Sequence, residues 1–157
     1  MSTYTEPVDN KNARQFIGNQ LVGFRKSVDL DAINNGTFSA NSVIQLIEVP
    51  PYAQVEAFTC EIGEAPANMT GDTCDFGISG DDITDDPNGL DDAVDLGAAS
   101  GTLTFGVKGT DAGLGVNFGA SGGYITMTVD QAYALATNDG TVIVSGYYAV
   151  VKPETIS

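Results

Sequence analysis

From Val22 onward the chain alternates. Val22, Phe24, Val28 and Leu30 fall on one side of an extended segment that Lys26 interrupts. Period-two alternation marks a half-buried strand, and a lysine within it marks a sheet edge. Ser42–Val49 (SVIQLIEV) is apolar at nearly every position, the pattern of a central strand buried on both faces. Pro50-Pro51 ends it, because proline donates nothing to a ladder. Residues 52–62 alternate again, with Phe58, Cys60 and Ile62 opposed to Ala57, Thr59 and Glu61. Thr73–Ser79 turns Cys74, Phe76 and Ile78 inward.

Residues 80–96 read as an acidic loop. Pro87-Asn88-Gly89 makes a turn within it, and Leu90, Ala93, Val94 and Leu96 pin it down. Three strands follow: 102–107 with Leu103, Phe105 and Val107 inward, 114–118 with Leu114, Val116 and Phe118, and 124–129 with Ile125, Met127 and Val129. Residues 131–136 fit one helical turn or a continued strand. Asn34-Asn35-Gly36 is a turn signal, and Asn138-Asp139-Gly140 is the strongest hairpin signal in the chain. Thr141–Val151 closes the domain with Val142, Val144, Tyr148 and Val150 on one face. Short strands separated by turns, with no long helical period, predict an all-β antiparallel β-sandwich. About eight strands at this length predict a jelly-roll-like arrangement. Residues 1–20 are polar and aperiodic and read as an extended N-terminal arm; 21–157 form a single domain.

Charge divides the chain along the same line. Residues 1–26 hold Lys11, Arg14, Arg25 and Lys26 against Glu6 and Asp9, while the rest holds only Lys108 and Lys152 against nineteen acids. Residues 1–26 therefore sum to +2 and residues 27–157 to −17, an acidic body that repels nucleic acid and anionic membrane. The opening MSTYTEPVDNKNARQF has no apolar core of a secretory leader, and no stretch reaches the length of a membrane span. These features predict a protein made in a cytosol.

Candidate chemistry is sparse. Asp85, Asp86, Asn88, Asp91 and Asp92 supply hard oxygens for calcium, but the EF-hand spacing fails, and a solvated acidic loop is the competing reading. The adjacent pairs Asp81/Asp82, Asp85/Asp86 and Asp91/Asp92 point to opposite faces of an extended chain, poor geometry for glycoside hydrolysis. Without a single His, Ser-His and Cys-His nucleophiles are excluded. GLGVNFG places Phe118 where a dinucleotide loop needs Gly. No cofactor and no catalytic residue is expected. If 59–62 and 73–76 pair as a hairpin, Cys60 and Cys74 become cross-strand neighbours. Cytosolic synthesis favours free thiols there, and oxidation would add roughly 3 kcal/mol. Ile143, Tyr147 and Val151 form an apolar stripe on the side away from Tyr148, either a second sheet's contact or an oligomer interface.

The run SVIQLIEVPPYAQVEAFTCEI, then CDFGISGDDITDDPNGLDDAVDL, Gly-rich strands and a final NDGTVIVSGYYAVV resemble the small jelly-roll decoration or cement proteins, and head-fibre proteins, of tailed bacteriophage capsids. The resemblance spans about residues 42–151. It implies a non-enzymatic virion protein on the outer capsid surface, often a homotrimer, that binds across major capsid protein subunits. Docking then falls to Lys11, Arg14, Phe16, Arg25 and Lys26, the one basic cluster flanking an apolar anchor. The alternatives are a head-fibre, neck or tail component, or a carbohydrate- or host-surface-binding module, with or without calcium.

Overall fold

The computed structural model describes residues 19–30, 32–33, 37–64, 73–130, 132–134 and 140–151. Within them lie ten strands: β1 Asn19–Asp29, β2 Thr37–Phe38, β3 Ser42–Val49, β4 Ala53–Glu64, β5 Thr73–Ser79, β6 Asp86–Asp95, β7 Leu103–Phe105, β8 Gly123–Val129, β9 Tyr133–Ala134 and β10 Thr141–Val151. Eight of them build two four-stranded antiparallel sheets, ordered β1-β10-β4-β7 and β3-β8-β5-β6; β2 and β9 form a small separate ladder. Among the eight, the first pairs with the last, the second with the next to last, and so inward: β1 with β10, β3 with β8, β4 with β7, β5 with β6. That is a long hairpin rolled on itself, the jelly roll expected from the strand pattern.

The core lies between the sheets. From the β10 sheet come Val55, Phe58, Cys60, Ile62, Val142 and Val144; from the β8 sheet come Cys74, Phe76, Ile78, Ile125, Met127 and Val129. Phe58 and Phe76 meet across the sandwich with ring centroids 5.1 Å apart and planes tilted 41°. Tilted rings at that spacing pair the edge of one with the face of the other.

Bulges explain why simple alternation misreads some strands. The β3–β8 register skips between Gln45 and Ile47. Leu46 stays buried, Ile44 and Ile47 pack against the core, and Val49 is buried. An extra residue changes which parity points inward. The apolar run of β3 is thus an edge strand re-phased by a bulge, not a central strand buried on both faces, and Val43 is 61% exposed. In β4 the inward set changes from Ala53 and Val55 to Phe58, Cys60 and Ile62 across a similar shift opposite Tyr147 and Tyr148. Lys26 marks the edge strand β1 as the sequence predicts. Its ammonium donates to the Leu46 carbonyl at 2.8 Å, tying β1 to β3 across the open side of the sandwich.

Four further expectations are corrected. Residues 86–95 are not loop but strand β6, paired with β5, so Pro87-Asn88-Gly89 lies within a strand; Leu90, Val94 and Leu96 are buried, but Ala93 is exposed with φ +54°. The phase of β7 is inverted: Leu103, Phe105 and Val107 are outside, and Thr104 is the side chain between them that turns in beside Cys60. Residues 114–118 are not strand, although Leu114 and Phe118 are buried. The strands flanking Asn138-Asp139-Gly140 do not pair with each other; β9 pairs with β2, and β10 with β1 and β4. Asn138, Asp139 and the Asn34-Asn35-Gly36 turn lie outside the described residues.

Candidate functional site: an apolar outer face and an acidic strand

The outer face of the β10 sheet is built by the residues that alternation leaves outside. On β10 the even positions Val142 and Val144 fill the core, so Ile143, Tyr147 and Val151 point away from it. Leu21 of β1 lies opposite Ala149, and Gly23 opposite Tyr147. On the far side of β4, Thr59 pairs with Phe105 and Glu61 with Leu103. Seven large hydrophobic side chains are exposed among the described residues. Six of them (Leu21, Leu103, Phe105, Val107, Tyr147 and Val151) belong to this sheet or to the residues just after β7. Sequence reasoning found the β10 stripe but missed its β7 half. LTFGV alternates equally well in either phase, and only pairing with Thr59–Glu61 sets which phase faces in.

The basic cluster does not hold together on the described strand. Arg25 is exposed on the outer face, opposite Ser145, while Lys26 points the other way to the Leu46 carbonyl. Lys11, Arg14 and Phe16 lie outside the described residues.

The acidic segment is dispersed by becoming a strand. Asp85 sits before β6 and accepts the Gly80 N–H at 3.1 Å, and Asp82 accepts the Ser121 N–H at 2.8 Å, so both brace the turn. They line an open cleft of about 500 Å³ with Ile78, Ile83, Val116 and Asn117. Asp86 lies opposite Ile78, and Asp91 opposite Phe76. Asn88 and Asp92 are exposed, whereas Asp91 is only 8% exposed. No three His, Cys, Asp or Glu side chains converge as a metal site would require among the described residues. Asp85, Asp86, Asn88, Asp91 and Asp92 are therefore not gathered into a calcium cage. Burial pushes the Asp91 carboxyl above its ordinary value, reinforced by the charges of Asp111 and Asp92.

Asp75 on β5 carries the clearest electrostatic load. The β5–β6 register shifts between Cys74 and Phe76, leaving Asp92 and Ala93 as a bulge beside it, and the Ala93 N–H donates to Asp75 Oδ1 at 2.9 Å. Asp130, at the end of β8, accepts the Thr73 hydroxyl at 2.5 Å. Burial first, then Asp130 and Asp92, raise Asp75 from 3.8 to about 6, against the opposing pull of the Ala93 N–H. A carboxyl whose pKa is higher folded than unfolded binds more protons in the native state between those values. Its contribution to stability therefore grows as pH falls from above 6 toward 3.8. Melting curves should show a larger gain from pH 7 to about pH 4.5 for the native chain than for Asp75→Asn, whose amide oxygen still accepts the Ala93 N–H. Equal gains in the two proteins refute this role of Asp75.

Cys60 and Cys74 are free and buried. They are not neighbours on one ladder, because β4 and β5 belong to different sheets; each projects into the core from its own side. Burial pushes the Cys60 thiol up to about 12 and the Cys74 thiol well above 9.0, each also feeling nearby negative groups. Neither is a thiolate at neutral pH, so neither offers a nucleophile.

No protein-family model and no curated protein matches the sequence. Solved structures do match. A chain in the cyanophage Pam1 capsid asymmetric unit aligns with TM-score 0.56 and 18% identity, over 84% of each chain. A chain in the capsid of Ralstonia phage GP4 aligns with TM-score 0.57 and 19% identity, over 86% of each. A chain in the acidic stable capsid of Helicobacter pylori bacteriophage KHP30 aligns with TM-score 0.51 and 17% identity, over 85% of this chain and 94% of that one. What they share is the fold. It is matched over 84–86% of this chain.

Proposed function

We propose that this chain is a non-enzymatic structural protein of a tailed-phage virion. It decorates or cements the outside of the capsid and contacts major capsid subunits. The observation that carries this reading is the alignment of the jelly roll, over more than four fifths of its length, with chains of three phage capsid structures. The chemistry of the domain agrees with it. The two thiols are buried in protonated form, the acids of β6 are spread along a strand, and the exposed features are an apolar face and strong negative charge.

Attachment in this reading falls to the basic arm. Lys11, Arg14 and Phe16 offer two cations and an aromatic anchor to a capsid surface, while Lys26 is already engaged by the Leu46 carbonyl. An oligomer that spans several capsid subunits turns weak single contacts into avid ones. The protein is made in the host cytoplasm and ends on the virion surface. The test is cosedimentation with empty heads of its own phage. Lys11→Glu combined with Arg14→Glu is expected to weaken binding at least roughly tenfold, the scale of losing two charge contacts at about 1 kcal/mol each. The melting temperature should not move. Undiminished binding by the double variant would defeat the arm as the docking element. Absence of the chain from purified particles would defeat the virion reading itself.

A further inference from the structure

We propose that the outer face of the β1-β10-β4-β7 sheet is a self-association surface, occupied by the same face of a second copy of this chain. The inference rests on that face alone and stands whether or not the protein is a virion component.

Three observations carry it. The first is concentration of apolar surface: Leu21, Leu103, Phe105 and Tyr147 lie exposed on one side of one sheet. Contiguous apolar patches on soluble proteins mark interaction sites. The second is charge. A chain of net −15 meets a copy of itself at least cost where its acids are fewest. Across this face the ionisable groups are Arg25, Glu61, the Glu56–Lys108 ion pair, whose charges cancel, and Asp29 at the end of β1. A basic partner would be drawn to the acidic strand instead. The third is the placement of Arg25 and Glu61. Arg25 lies opposite Ser145, and Glu61 opposite Ile143, on either side of β10. Neither has an ion-pair partner within the described chain, whose salt bridge joins Lys108 to Glu56. A two-fold axis in the plane of contact, crossing β10 between Ile143 and Ser145, sets each copy's Arg25 over the other's Glu61. Such an interface is isologous and self-complementary.

The size suffices. Strands of eleven and twelve residues, at ~3.3 Å per residue and ~4.8 Å between strands, give a face of roughly 500–600 Å² in plan. That approaches the ~600 Å² per partner at the small end of stable interfaces.

Sedimentation velocity of the full-length chain, over roughly 1–100 µM where interfaces of this size act, tests it. A dimer is expected. Phe105→Asp and Tyr147→Asp should each give a folded monomer, whose melting temperature matches that of the native chain diluted to monomer, since both side chains are exposed in the single chain. Arg25→Glu and Glu61→Arg should each weaken association at least tenfold, because each sets like charges together twice. The combined R25E/E61R chain should recover it, because the charges are then exchanged on both copies. A monomer at the highest concentration overturns the proposal. So does an oligomer that Phe105→Asp leaves intact, or one that the charge exchange fails to restore. Particle binding is a separate measurement, so loss of self-association and loss of capsid attachment are told apart.

Discussion

Phe76→Ala is expected to cost about 3–5 kcal/mol, the range for deleting a buried aromatic ring. Phe76 has no solvent exposure and sits on β5, inside its sheet, with its ring against Phe58. Alanine there leaves a void between the sheets that Ile78, Met127 and their neighbours, each held by its own ladder, cannot close. The loss also removes an aromatic pair across the core, a further ~0.5–1.5 kcal/mol beyond the buried area. Against the ~5–15 kcal/mol of a typical domain this is a large share. It corresponds to a melting point lower by about 10–15 °C at this chain length. Urea titration and thermal melts measure it. Phe105→Ala is the matched control. Phe105 is 58% exposed on the outer face, so in the chain diluted to monomer the same deletion should stay within about 0.5 kcal/mol. Similar costs at the two positions would mean that β7 faces the core after all.

Gly77→Ala is the second large effect, at about 3 kcal/mol, the upper end for added bulk in a packed site. A Cβ at Gly77 would lie 2.0 Å from the Asp86 carbonyl oxygen and 2.4–2.5 Å from the carbonyl of Pro87, all backbone atoms. The start of β6 crosses β5 at that point, and no side-chain rotation relieves the overlap. The strand must lift, and lifting it uncovers Leu90, Val94 and Leu96 beneath. Gly23 on β1 is the control, because a Cβ there meets only the Gly146 carbonyl oxygen at 3.9 Å. Gly23→Ala should be neutral or slightly stabilising through the unfolded chain. If the two alanines behave alike under denaturant, β6 does not cross β5 as described.

The two controls point to what was legible before the structure. Alternation in Thr73–Ser79, 124–129 and Thr141–Val151 placed Phe76, Met127 and Val144 inside, and all are buried. It worked there because these strands have neighbours on both sides in the ladder and a single unbroken phase over their core-facing residues. Alternation failed at β7, where three residues carry two equivalent phases, and at β3, where a bulge places apolar residues of both parities toward the core. The acidic stretch misled for another reason. Asp and Gly disfavour strands on average, but β6 is held by Leu90 and Val94 sinking into the core, and burial outweighs a weak propensity.

The candidate site divides the same way. Ile143, Tyr147 and Val151 were readable as an outer stripe from β10 alone. Their continuation into Phe105 and Leu103, and the position of Arg25 and Glu61 on either side of β10, depend on which strands lie side by side. The raised pKa of Asp75 depends first on its burial, then on Asp130 and on the bulge that brings Asp92 beside it, all set by which strands pair.

By itself the sequence determined an all-β sandwich, the exclusion of His-dependent chemistry and a strongly negative chain, because these follow from composition and from the two-residue period of extended chain. Only the tertiary structure decided which parity of each strand is inside, where bulges exchange it, and which exposed residues form one face. Those are properties of pairing between strands remote in sequence, and a one-dimensional pattern carries the period of a strand but not the identity of its neighbours.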